Sequence, residues 1–132
     1  MRVLKYAFVV SGFLLIYVAI KVPAQSHRSV GQLVEIAITF AALACLLGGF
    51  VLPRVLLQAQ NTSAEAQLKR WMTKGILGLA YFEACILFGL VLRVLGAHIR
   101  LVALLFALGI AAELFWNPGN PPVAEDGKTA RE

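Results

Sequence analysis

Gly75-Ile-Leu-Gly-Leu-Ala-Tyr-Phe-Glu83-Ala-Cys-Ile-Leu-Phe-Gly-Leu-Val-Leu92 is an unbroken apolar run with one acid at its middle, closed by Lys74 and Arg93. As a helix it rises about 27 Å, close to the hydrocarbon thickness of a bilayer. It reads as a membrane span. A carboxyl at that depth costs about 2.5–3.5 kcal/mol on insertion scales, which makes Glu83 a candidate proton- or ion-binding group.

The rest of the chain agrees with a membrane setting. Of 132 residues, 60% are hydrophobic and 14% charged, against about 25% charged in soluble domains. The net charge of +5 comes from 12 Lys and Arg that flank the apolar runs rather than forming one basic face. They set topology, and no nucleic-acid partner is expected. Cys45 and Cys85 lie inside apolar runs with no Cys-x-x-Cys spacing and no nearby His, so no metal or other cofactor is expected from them.

Four spans are predicted, at about residues 4–21, 33–52, 72–95 and 99–116, as one membrane domain over 1–122. The first follows Arg2 and Lys5 and ends at Lys21. Its rival reading is a cleaved signal peptide over 1–24, with Val22-Pro23-Ala24 near the cut. Residues 21–32 form a polar connector in which His27 is solvated. The second span is stopped by Pro53-Arg54. In the next connector, Thr62 and Glu65 form a capping-box pattern that starts the third helix near Ser63. Asn61-Thr62-Ser63 also matches a glycosylation sequon, set aside for a cytoplasmic loop. Gly96-Ala97-His98 is a tight hairpin between spans three and four. Asn117 to Pro122 stops the fourth helix, and 123–132 is a charged tail expected to be disordered.

With the N-terminus inside, Arg2, Lys5, Arg54, Lys69, Arg70, Lys74, Lys128 and Arg131 face the cytoplasm, against Lys21, Arg28, Arg93 and Arg100 outside. This bias predicts a multi-pass protein of the bacterial cytoplasmic membrane with both termini cytoplasmic. The expected fold is all-α: an integral membrane bundle of four antiparallel helices.

On a helical wheel at about 100° per residue, Gly78, Phe82, Cys85 and Gly89 share one stripe. Gly78, Cys85 and Gly89 form a small-residue packing seam. Glu83 lies about 120–160° from them, on a face with Ile76, Leu79, Leu87, Leu90 and Val94. It therefore points to lipid, a second chain or a looser groove. No basic residue sits at its depth; Ser11, Thr39 and Tyr81 are its candidate hydrogen-bonding partners. It is either polar glue between helices, a proton or cation carrier, or the partner of a basic group on another subunit. Glu35 and Glu113, at span ends, are interfacial ion-pair candidates: Glu35 with Lys21 or Arg93, and Glu113 with Lys74 or Arg70. Trp71 and Trp116 are expected as interfacial anchors.

Glu83-Ala-Cys-Ile-Leu-Phe-Gly89-Leu-Val resembles the carboxylate-bearing helix of rotary ATPase c subunits (proteolipids), where an acid is followed six residues later by Gly. The resemblance covers about 15 residues and implies a proton- or cation-translocating carboxyl with a cytoplasmic loop before it. The chain departs from that family in its two additional spans and in having Gly48-Gly49 in place of a repeated Gly-x-Gly. More broadly, it is similar to small four-span bacterial membrane proteins with a Tyr81-Phe82-Glu83-Ala84-like third helix and a Pro-rich end.

No catalytic set is present: no Ser/His/Asp arrangement, no His-Glu metal spacing, and His27 and His98 stand singly. A haem or quinone site on His98 would lack a second ligand. The sequence points to a non-catalytic accessory or scaffold subunit, associating through helix faces as a homo-oligomer or within a larger membrane complex. The alternative is a proton- or cation-translocating subunit using Glu83.

Overall fold

The computed structural model describes residues 2–23, 31–56 and 63–120. Ala24 of the cleavage reading, His27, Arg28, Asn61, Thr62 and the tail 123–132 lie outside them. Four helices, and no strands among the described residues, make up the chain: α1 (Arg2–Lys21), α2 (Gln32–Leu56), α3 (Ala64–Val94) and α4 (Ile99–Phe115). The first three are long and apolar enough to cross a membrane. The fourth has 17 residues and rises about 25 Å.

Side-chain contacts set the directions. Lys5 reaches Leu114 and Trp116 while Gly12 lies against Ile110, so α1 and α4 run antiparallel. Ser11 meets Glu83 and Arg93 meets Ala19, which makes α1 and α3 parallel. Cys45 neighbours Cys85, and Gly48 and Gly49 meet Tyr81 and Phe82; α2 and α3 are antiparallel. Both α3 and α4 touch all other helices, whereas α1 and α2 do not touch each other. The basal end of the bundle holds Arg2, Leu56, Ala64 and Phe115, and the distal end holds Lys21, Gln32 and the Gly96 turn.

One boundary differs from the sequence reading, and at a second, near Ser63 as expected, the capping contact differs. Pro53 does not stop α2, which continues to Leu56. So near a C-terminus a proline forfeits one backbone hydrogen bond, and its ring here is fully buried. At the start of α3, Ser63 is the N-cap but its side chain makes no capping bond. Glu65 instead pairs with Lys69 at 3.0 Å on an exposed face, a contact of small energetic value.

The α3–α4 turn is a Schellman motif. Gly96 has φ 82°, its N–H bonds the carbonyl of Arg93 at 3.1 Å, and the Ala97 N–H bonds that of Leu92 at 2.9 Å. Leu92 and Ala97 then bury together in the core, the apolar contact that commonly accompanies this cap. With the turn fixed, α3 and α4 close along small residues. The expected seam of Gly78, Cys85 and Gly89 faces α4: Gly78 lies under Trp116, the Cys85 thiol donates to the carbonyl of Leu105 at 3.9 Å, and Gly89 packs on Phe106. Opposite them Gly109 admits Ile86: a Cβ there would lie 2.4 Å from Ile86 Cγ1 and 3.3 Å from the carbonyl oxygen of Phe82.

Gly109→Ala is accordingly expected to destabilise the protein by about 1–3 kcal/mol through overpacking. Reversible SDS unfolding in mixed micelles measures it; an unshifted transition would mean that α3 and α4 do not approach this closely.

Candidate functional site: a buried carboxyl pair

Glu83 sits at the middle of α3 and Glu113 in the last turn of α4. Counting outward from the hairpin, Glu83 is 12 residues before Leu95 and Glu113 is 15 after His98, an offset of nearly one helical turn. Helical side chains lean toward their own N-terminus. On antiparallel helices that lean carries Glu83 toward the basal end and Glu113 toward the distal end, so the two carboxyls converge and interact electrostatically.

α1 covers the pair. The Ser11 hydroxyl donates to Glu83 Oε1 at 2.6 Å. One residue on, Gly12 is buried, and a Cβ there would lie 3.5 Å from Glu113 Oε2 and 3.1 Å from Ile86 Cδ1. The missing side chain lets α1 close over the acids. Of the three hydrogen-bonding candidates, Ser11 bonds Glu83, while Thr39 donates within its own helix to the carbonyl of Glu35 at 2.7 Å.

Glu113 is 0% exposed. Neither of its carboxyl oxygens, nor Glu83 Oε2, has a hydrogen-bond donor. Three buried carboxyl oxygens thus face one another with one hydroxyl between them and α1. Glu113 is thus buried inside the bundle, and among the described residues it pairs with neither Lys74 nor Arg70. Its expected partner Lys74 is on α3 nearer the basal end, and the opposite lean of the two side chains separates them. Among the described residues neither Glu35 nor Lys74 forms an ion pair, and the one ion pair is Glu65–Lys69. The Arg93 guanidinium turns to α1, donating to the carbonyl of Ala19 at 3.4 Å, while Glu35 lines a groove between α2 and Leu101 of α4.

Trp116 also departs from its expected role as an anchor. It is 3% exposed, three residues beyond Glu113, and packs edge-on against Phe50 and Phe82 at centroid distances of 5.8 and 5.6 Å. Gly78 makes room for the indole: a Cβ there would come within 2.5 Å of it. Below this aromatic cluster, Lys5 caps α4 by donating to the carbonyls of Leu114 and Trp116, where a cation meets the negative end of the helix dipole. Trp71 Nε1 donates to the carbonyl of Gly119 at 2.9 Å.

Two carboxyls and a hydroxyl can hold a proton among them. Among the described residues no group of three or more His, Cys, Asp or Glu could hold a metal ion. Searched against known protein families, curated proteins and solved structures, the chain finds no match.

Ser11→Ala removes the single donor to Glu83 Oε1. The expected cost is about 1 kcal/mol, the scale of a helix-to-helix hydrogen bond in a membrane protein, read by SDS unfolding beside the wild type. A change below about 0.3 kcal/mol would show that α1 does not depend on this bond.

Proposed function

We propose that this chain is a multi-pass protein of the bacterial cytoplasmic membrane that binds a proton at the Glu83–Glu113 pair and acts as a non-catalytic, proton-handling subunit. The observation that carries the reading is the orphaned state of three carboxyl oxygens, two on the fully buried Glu113 and one on the half-buried Glu83, under α1. A proton on one carboxyl supplies the donor that the other lacks, and it is the smallest ligand to do so. A hard cation such as calcium takes about six to eight oxygen ligands, more than this site offers. The similarity of the Glu83 helix to proteolipid subunits supports the same reading.

Charge supports the orientation. Among the described residues Arg2, Lys5, Arg54, Lys69, Arg70 and Lys74 lie toward the basal end, against Lys21, Arg93 and Arg100 toward the distal end. Under the positive-inside rule the basal end, with both termini, is cytoplasmic.

A scaffold role through helix faces is the second reading. It is favoured by a strip of α3 left open where α1 and α2 fail to meet, with Ile76, Leu87 and Val94 about 40% exposed. In this reading the carboxyls serve as hydrogen-bonding glue, and a second copy or another membrane subunit covers the strip.

Purified protein reconstituted into vesicles holding a pH-sensitive dye separates the two. With an imposed potential, the wild type is expected to pass protons at least ten times faster than Glu83→Gln and Glu113→Gln, with all three eluting alike on sizing. A hydrophobic carbodiimide should label one of the two acids. Wild-type flux equal to that of both variants, with neither acid labelled, would remove the proton reading and leave the scaffold.

A further inference from the structure

A cavity of about 720 Å³ opens at the basal end, where the ends of α1 and α4 meet the start of α3. Its volume falls within the roughly 300–1,000 Å³ range of small-molecule sites. Arg2, Lys5, Trp71, Trp116, Asn117 and Asn120 line it, with an apolar wall that includes Leu79 and Leu114. The lining thus joins cationic and amide groups to an apolar wall.

Three observations fix the charge of what fits. Arg2 has no ion-pair partner among the described residues, so its five N–H donors are uncommitted. The Lys5 ammonium gives two N–H bonds to the α4 carbonyls and retains a third. Trp116 lines the same cavity, and its buried Nε1 has no acceptor. Uncommitted donors of Arg2, Lys5 and Trp116 thus gather around one opening. Among the described residues no carboxylate lines the opening: Glu65 is paired with Lys69 and Glu113 is fully buried. An acceptor-rich anion with an attached apolar tail matches both halves of the lining.

We infer that this cavity binds the phosphate headgroup of an anionic phospholipid. Arg2 and the third N–H of Lys5 meet the phosphate oxygens, as basic pockets between membrane helices do. The acyl chains run out beside the exposed Leu114 and Phe115. The inference uses the membrane placement proposed above but not the carboxyl pair. The bound lipid would brace the α1–α4 junction that Lys5 already caps, next to the turn carrying Glu113.

Native mass spectrometry of the full chain, delipidated in detergent and titrated with phosphatidylglycerol or phosphatidylcholine, tests it. One phosphatidylglycerol per chain is expected, at least five-fold tighter than phosphatidylcholine. Arg2→Gln should weaken it about five-fold, the scale of one basic residue near an anionic surface, and Arg2→Lys should restore most of the loss. Glu83→Gln should leave lipid binding unchanged, which keeps this test separate from the proton reading. Equal affinity for the two lipids, as when the chain's own acidic tail fills the cavity, would overturn the inference, as would a wild-type response from Arg2→Gln. Displacement of the lipid by millimolar inorganic phosphate would assign the site to the free anion and overturn the lipid form.

Discussion

The close approach of α3 and α4 is the constraint on which the rest of the structure depends. It begins at the Gly96 turn, which ends one helix and starts the next within four residues. Four positions then keep the helices close: Gly78, Cys85 and Gly89 on α3 and Gly109 on α4. At three of them a methyl group would press on a buried ring or on Ile86. Close packing matters more between membrane helices than between soluble ones, because lipid is as apolar as the core and burial alone gives little reason to associate.

The seam also solves an electrostatic problem. A carboxyl in an apolar interior is expensive unless it is paired, and among the described residues Glu83 and Glu113 have no cationic partner. Bringing α3 and α4 together turns each acid toward the other, and α1 closes the remaining side with the Ser11 hydroxyl and the bare backbone of Gly12. α1 is thus held by polar contacts, Lys5 on the α4 carbonyls, Ser11 on Glu83 and the carbonyl of Ala19 under Arg93, beside the apolar packing of Leu4, Phe8, Leu15 and Ile16. α2 is held differently. Its Gly48 and Gly49 admit the rings of Tyr81 and Phe82, and Phe50 joins the aromatic cluster.

The helices themselves were legible in the sequence, because membrane-length apolar runs bounded by charges and a Gly turn leave few alternatives. The Gly78, Cys85 and Gly89 stripe was visible from 3.6-residue periodicity, as was the possibility of Ser11 bonding Glu83 at similar depth. The carboxyl pair was hidden by a one-residue-at-a-time reading. Glu113 was placed at the interface from its distance to the end of its run, without adding the opposed lean of side chains on antiparallel helices. Trp116 was misplaced for a related reason: an aromatic near a span end reads as an anchor unless the glycine that houses it, Gly78, is known to lie opposite. Pro53 was read as a stop because its cost is local, whereas the burial that accompanies it is tertiary.

The Gly96 turn also bears on how such a chain enters a bilayer. Under the membrane placement proposed above, two helices joined by four residues would partition as one hairpin. Glu83 and Glu113 then cross the headgroup region together, each already within reach of the other. The membrane meets a matched polar couple inside a helical pair rather than two isolated acids in succession. On this view the pairing is a condition of entry before it is a feature of the finished fold, in which Ser11 and Gly12 of α1 lie over the acids.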